Sequence, residues 1–546
     1  MTSRKKKWIA GGVVAVALTV TVMLIAAKRL SARFEPYIRD QAKQYLSTRF
    51  ESEVEFGRLT IDIPRIPPLR LLFTEGRGVI AEVTGENIVM RHKGRRDIPP
   101  MFAIERLRFE IDLGRMFEPK TRVALVHLDR MRISIPPKGE RPNLSDPGTR
   151  APTAASPGVE KPPASPGAQT PSAFPSANDV LIERVIISDS LLVILPRLKT
   201  RQPLDFELRR VALDSVQWSE ALQYEADLTN PKPPGTVKAK GTFGPWNADS
   251  PSDSPLTGEY DFINANLGVF RAIAGTLNSK GRFGGTLNEI EAKGEVAVPN
   301  FRLTMAGNSL PLHATFEALI DGTNGNTVLK PVRAKLNSTS FTTSGAVIKH
   351  DRDTRRSIDL QVNMPDGNLL DLLRLAMKAE PPMSARIQLN AKISIPPLQG
   401  RVAEKLILDG RFKLKRGHFL RALVQDKVDS LSRRGQGQPK NETIDNVFSD
   451  MAGTFHLEDE KITFEGLSFR VPGAGVELAG LYDLDADLVD FKGALKLDAK
   501  VSQTMTGWKR WLLKPVDPIL ARKGAGTYLK IKVTGTSKNP SFGASR

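Results

Sequence analysis

Residues 451–543 read MAGTFHLEDEKITFEGLSFRVPGAGVELAGLYDLDADLVDFKGALKLDAKVSQTMTGWKRWLLKPVDPILARKGAGTYLKIKVTGTSKNPSFG. Apolar and polar side chains take turns through most of this stretch. Phe455 and Leu457, Ile462 and Phe464, Val476 and Leu478, and Leu495 and Leu497 each stand two apart with a polar residue between them. Leu529, Ile531 and Val533 repeat the pattern across Lys530 and Lys532. Successive side chains on a strand point to opposite faces, so a period of two predicts strands with one apolar and one wetted face. A mainly β fold follows.

The same grammar extends towards the amino end. Leu107, Phe109, Ile111 and Leu113 alternate with charged residues, as do Met131, Ile133 and Ile135 with Arg132 and Ser134. Val180 and Ile182, then Ile387, Leu389, Ile393 and Ile395, belong to further alternating runs. A phrase of glycine, any residue, apolar, any residue, apolar recurs as GEYDF from Gly258, GEVAV from Gly294, GRFKL from Gly410, GTFHL from Gly453, GLYDL from Gly480 and GALKL from Gly493. Glycine is expected to open each of these strands, supplying turn backbone that other residues avoid. The spacing is irregular, which excludes a fixed-period solenoid. At about 13 residues per strand and turn, roughly 25–35 strands fit between residues 59 and 540.

Helical spacing is rare. Phe34, Ile38, Ala42 and Tyr45 predict an amphipathic helix from Leu30 to about Phe50, suited to lying on a membrane surface or to capping the first strands. NLLDLLRLAMKAE, Asn368 to Glu380, predicts a second, with Asp366 or Asn368 as its N-cap. A third is expected around Asn441 to Met451.

Composition agrees with a β-rich chain. The 546 residues include 43 glycines and 39 prolines but only 6% aromatics. Cysteine is absent, which suits an oxidising compartment. Trp8 to Ala27 is uncharged for twenty residues, the length of a membrane span, with Arg4 to Lys7 before it and Lys28 and Arg29 behind. An uncleaved anchor is expected, with a cytoplasmic amino end and the bulk of the chain across the membrane; the flanking charges do not by themselves decide that orientation. Beyond such an anchor, the formal net charge of +19 points either to anionic lipid headgroups, rather than nucleic acid, or to a merely solvated surface, since Lys and Arg are spread along the chain. Residues 136–178 are rich in Pro, Ala, Ser and Gly and lack the apolar surface to fold, so they are expected to be a disordered linker.

The apolar faces need a cover. A row of three or four wetted aliphatic side chains costs several kcal/mol at about 25 cal/mol per Å2. A second sheet, a layer of helices or a non-protein ligand could supply it. The predicted helices are too few, and alternation alone leaves a β-sandwich open.

Residues 451–543 resemble the AsmA-like C-terminal region, on the GTFHL strand, the VPGAGVELAGLYDL hairpin, the VDFKGALKLDA strand, the LLKPVDP turn and the KIKVTGTSKNPSF tail. The resemblance extends over 366–546; the amino-terminal anchor and MFAIERLRFEIDLGRMF are similar to the family's start more loosely, and 180–365 only in style. It implies one transmembrane helix followed by a long, twisted, taco-shaped β-sheet groove with few short helices, resembling bridge-like lipid-transfer proteins. Phe455, Leu457, Ile462, Phe464, Val476, Leu478, Leu495, Leu497, Leu529, Ile531 and Val533 would then line the groove and meet acyl chains. Trp8, Lys28, Arg29, Trp508 and Trp511 are the expected membrane-interface residues. The organisation expected is a tail and anchor at 1–29, a juxtamembrane helix at 30–58, a first β segment at 59–135, the linker at 136–178, a middle groove at 179–365 and the family-like region at 366–546.

No catalytic motif emerges. The six histidines show no metal-ligand spacing, and there is neither a nucleophile elbow nor a P-loop. No cofactor, metal or nucleic-acid partner is expected. Passive carriage of phospholipid from the inner towards the outer membrane, supporting outer-membrane lipid homeostasis, is the leading expectation. Assembly of outer-membrane proteins by strand pairing, or a non-transporting periplasmic scaffold or regulator, are the alternatives.

Overall fold

The computed structural model describes residues 52–62, 80–92, 94–112, 121–136, 180–196, 202–216 and most of 220–544, with helical positions between 39 and 47. The predicted span Trp8–Ala27, Lys28, Arg29, the linker beyond Pro136, Trp508 and Trp511 lie outside the described residues. Among the described residues no helix is long and apolar enough to cross a membrane. The chain divides into two compact units, one made of Met1–Pro231, Thr236–Tyr260 and Gly284–Asn288, the other of Lys232–Gly235, Asp261–Phe283 and Glu289–Arg546.

Unit one holds β1 (Ser52–Asp62), β2 (Ile80–His92), β3 (Phe102–Asp112), β4 (Thr121–Ile135), β5 (Val180–Ile194), β6 (Leu204–Val216) and β7 (Leu222–Pro231). β1 begins inside the stretch predicted to be helical. Ser52, Val54 and Phe56 turn inward alternately there, and the strand pairs with β2 from Ser52↔His92 onward. Neighbours are antiparallel except β4 and β5, which run parallel from Thr121↔Val180 to Ile135↔Ile194. The strands on either side of the expected linker are therefore direct partners. Their shared face is a buried core of Val54, Ile88, Ile104, Val126, Val185 and Leu213, and helical Leu46 packs against it.

After β7 come β8 (Pro234–Phe243), β9 (Pro255–Asn266), β10 (Ile273–Ala274) and β11 (Thr276–Thr286), of which β10 lies wholly in unit two and the other three are divided between the units. The rest of unit two is a long meander: β12 (Glu289–Leu303), β13 (Leu310–Ile320), β14 (Thr327–Leu336), β15 (Thr339–Ile348), β16 (Ser357–Asn368), β17 (Met383–Ile395), β18 (Ile407–Phe419), β19 (Ser449–Glu458), β20 (Lys461–Val471), β21 (Ala474–Asp483), β22 (Leu488–Leu497), β23 (Thr527–Thr536) and β24 (Pro540–Ala544). Each pairs antiparallel with the next, as polar–apolar alternation with short turns favours. The sheet is open, and among the described residues the pairing of β24 is with β23.

Four α-helices of the described residues punctuate the meander, the last, Asp517–Leu520, between β22 and β23. α1 (Leu369–Ala376) joins β16 to β17, α2 (Val402–Lys405) joins β17 to β18 and α3 (Ala422–Gly435) joins β18 to β19. Alternate connections fall on one rim, so α1 and α3 share a rim and α2 sits at the other. α1 is the predicted helix, capped by Asn368, whose side chain accepts the Leu370 N–H at 3.1 Å. The helix expected at Asn441–Met451 does not form. Asn441 instead accepts from the backbone and hydroxyl of Thr443 at 3.0 and 2.6 Å, a local turn that competes with helix, and β19 begins at Ser449.

The recurring glycines do not open strands. Gly294, Gly410, Gly453, Gly480 and Gly493 all lie inside β12, β18, β19, β21 and β22. Cross-strand register sets Gly294 opposite Phe316, Gly410 opposite Phe455, Gly453 opposite Phe412, and Gly480 between Phe464 and Phe491. The missing side chain makes room for a neighbouring ring.

Candidate functional site

Register decides which side chains share a face. Phe455 pairs with Phe464, Leu457 with Ile462, and Phe464 with Gly480, two residues from Leu478. Val476 pairs with Leu495, Leu478 with Gly493, and Leu495 with Leu529. Ile531 lies opposite Gly493 and Val533 opposite Phe491. All eleven residues predicted to line a groove are thus on one face of β19–β23. Phe412, Leu467, Phe469, Tyr482 and Phe491 join them.

Four of these side chains form an aromatic row across β18, β19, β20 and β22. Phe412 lies 6.2 Å from Phe455 and 6.5 Å, edge-on, from Phe464, and Phe464 lies 5.9 Å from Phe491. Those spacings are in the range of favourable ring pairs.

The face is unevenly covered. At the rim shared by α1 and α3, Met364, Met383, Ile387 and Leu414 are buried beneath α1, while Val471, Ala474 and Leu497 are buried with Val428 of α3. Leu495 packs against the α3 cluster and Leu457, Phe491 and Val533 are buried, whereas Phe455, Ile462, Phe464, Val476, Leu478, Leu529 and Ile531 are only half-buried. Among the described residues no second sheet packs on these strands; they contact their ladder neighbours and the rim helices. The β-sandwich that alternation left open is therefore not what unit two adopts. It is an open, curled, groove-like sheet whose apolar face is in large part only half-buried.

Buried carboxylates hold the rim helices down. Asp371 of α1, 1% exposed, accepts from Asn337 (2.7 Å), the Ser338 N–H (3.1 Å) and hydroxyl (2.6 Å), and Thr339 (2.8 Å) in the β14–β15 turn. Burial pushes its pKa up, but the donors from Ser338, Asn337 and Thr339 together hold it below the usual carboxylate value. Asp429 of α3, also 1% exposed, does the same for the entry to β19, accepting from Gln425 (2.8 Å) and the N–H groups of Asn446 and Val447 (3.0 Å each).

The opposite face is wet and charged. Lys330 bridges to Glu317 at 2.6 Å and Glu291 at 3.6 Å, Lys496 to Glu477 at 2.9 Å and Lys532 to Asp490 at 3.7 Å. His456 lies 2.6 Å from Asp409 and 3.4 Å from Glu458. Such exposed pairs contribute little stability each, but they keep this face hydrated. Further along unit two, a broad cavity of about 950 Å3 is bounded by β9 and β11–β16, with Phe262, Val296, Ala314 and Phe341 beside Lys280, Arg333 and Lys335.

No protein-family model, no curated protein and no solved structure matches this chain.

Proposed function

We propose that this chain is an inner-membrane-anchored periplasmic lipid carrier of the AsmA-like kind, in which acyl chains lie along the apolar face of unit two and headgroups face water. The half-buried side chains of this face, from Phe412 to Ile531, carry the reading. Half-buried aliphatic and aromatic side chains on many adjacent strands are costly to hydrate, at about 25 cal/mol per Å2, and lipid tails would supply the cover. The residues from Phe455 to Val533 named above act as the lining. Trp8–Ala27 anchors the chain, Lys28 and Arg29 sit at its boundary, and Trp508 and Trp511 meet lipid headgroups. No catalytic step, metal or cofactor is invoked. Phospholipid passes from the inner membrane towards the outer membrane along a continuous surface, with no discrete pocket.

The test is what travels with the protein. Native mass spectrometry of the full chain, released gently from its membrane, should find bound phospholipid, and Phe464→Asp with Leu478→Asp should lose it. A photo-crosslinker at Leu495 should label phospholipid, whereas one at the adjacent Lys496, on the other face, should not. Lipid-free wild-type protein, or equal labelling at both positions, would sink the proposal. A second reading, guidance of outer-membrane protein strands by edge pairing, draws on β24, the last strand of the ladder. Five residues make it short for a client strand, and carriage is the stronger reading.

A further inference from the structure

A corner of unit two carries apolar side chains in water that neither the groove nor the core uses. Leu420 is 52% exposed, Leu423 79% and Phe448 50%. Val424, at 37%, completes the patch. Leu420 precedes the N-cap of α3, and Leu423 and Val424 lie in its first turn, where all three are exposed. Gln425 ties the corner together: its side chain accepts the Phe419 N–H and donates to the Val447 carbonyl, both at 3.0 Å. Phe448 follows directly, with the Arg416 guanidinium 4.7 Å from its ring centroid.

Two cations stand at this patch, Arg416 against the Phe448 ring and Arg421 at the start of α3, and more lie along the same stretch of chain. Between residues 411 and 427 the sequence places Arg411, Lys413, Lys415, Arg416, Arg421 and Lys427 against one acid, Asp426. None of the six forms an ion pair with another side chain. The nearby Asp450 carboxylate accepts the Arg416 backbone N–H at 3.1 Å. Arg421 occupies the N-cap of α3 without capping it by its side chain, so the positive end of the helix dipole is exposed beside the two arginines. Exposed aliphatic and aromatic side chains beside Arg416 and Arg421 complement one kind of surface: apolar just below a layer of negative charge.

We propose that this corner docks on an anionic phospholipid bilayer. Leu420, Leu423, Val424 and Phe448 enter the acyl boundary, and Arg416 and Arg421 bind lipid phosphates. The inference stands apart from what the groove face carries, because it uses residues of the rim and not the apolar lining.

The absence of cysteine makes the test direct. The full chain, held in phosphatidylcholine nanodiscs and bearing Leu423→Cys as its sole thiol, is labelled with an environment-sensitive fluorophore. Vesicles of phosphatidylcholine with about one-third phosphatidylglycerol should shift its emission to the blue; pure phosphatidylcholine vesicles should not. Arg416→Gln with Arg421→Gln should weaken the response about thirtyfold, the order expected for two charges at about 1 kcal/mol each. The same label at Leu398→Cys, 60% exposed at the opposite rim, should stay silent. These positions are exposed, and unchanged thermal melting of each variant confirms that the fold is kept. No shift with anionic vesicles, an equal shift with neutral ones, or an equal response at Leu398 would overturn the proposal. So would a response to an added envelope protein fraction but not to vesicles, which would make the corner a protein interface.

Discussion

The ring of Phe455 occupies the space where a side chain at Gly410 would stand: a Cβ there would lie 2.6 Å from Phe455 Cζ and 2.9 Å from the Asn390 carbonyl oxygen. The two residues are register partners on β18 and β19, so the glycine and the aromatic act as one unit of the sheet. Gly410→Val should therefore destabilise unit two by about 1–3 kcal/mol through overpacking. Gly466 provides the contrast, because a Cβ there meets nothing within 4 Å. Gly466→Ala should be neutral or stabilising by about 0.4–1 kcal/mol. Urea denaturation of the two variants separates these outcomes, and equal losses would remove the aromatic-seat explanation.

Asp371 and Asp429 predict acid sensitivity at the rim. In both, burial raises the pKa but several hydrogen bonds outweigh it, so the folded value lies below that of a free aspartate. A depressed carboxylate stabilises the fold fully above its unfolded pKa, and that stability is lost as pH falls through the folded value. Amide exchange in α1 and α3 should rise selectively below about pH 4. Asp371→Ala should cost about 3 kcal/mol by leaving the β14–β15 donors unmatched; an unchanged urea midpoint would show that the clamp holds nothing.

His456 should titrate high. The hydrogen bond to Asp409, then that to Glu458, raises its pKa above 6.5 despite slight desolvation. A raised histidine contributes fully below its unfolded pKa and loses that contribution as pH rises through the folded value. The imidazole NMR midpoint of His456 should lie above 6.5 in the wild type, and Asp409→Asn should lower it. A midpoint indifferent to that change would deny the pairing.

The parallel pairing of β4 and β5 sets a minimum on the segment between them. Ile135 ends β4 beside Ile194, while Val180 begins β5 beside Thr121, so the chain must return along most of a 15-residue strand. At about 3.3 Å per residue this is roughly 45–50 Å. Trimming the connection to about 20 residues should leave thermal unfolding of unit one unchanged, whereas about eight residues reach only ~28 Å and should break the pair. Equal stability of both deletions would contradict the parallel register.

Much of unit two was legible wherever alternation is strict. Leu529, Ile531 and Val533 announce both their strand and their shared face, and Phe491 could have been found in the same way from VDFKGALKL. Leu467 and Phe469 could not. A register shift between Phe464 and Leu467 inserts an extra residue and changes which parity faces inward. α3 was missed for a related reason: its buried face is Gln425, Val428, Asp429 and Ser432, mostly polar and satisfied by hydrogen bonds, so no apolar period marks it.

Local chemistry by itself determined that the chain is mainly β, that its strands have one oily and one wet face, and that Leu369–Ala376 would be helical. Backbone alternation and capping act between near neighbours, and the sequence states them directly. Tertiary structure alone decided that the glycines seat rings, that β4 and β5 pair across a long connection, and that no second sheet covers the face from Phe455 to Val533. Those outcomes depend on register between strands distant along the chain. A shift of one residue there turns every side chain to the other face, and alternation within a single strand carries no record of its partner.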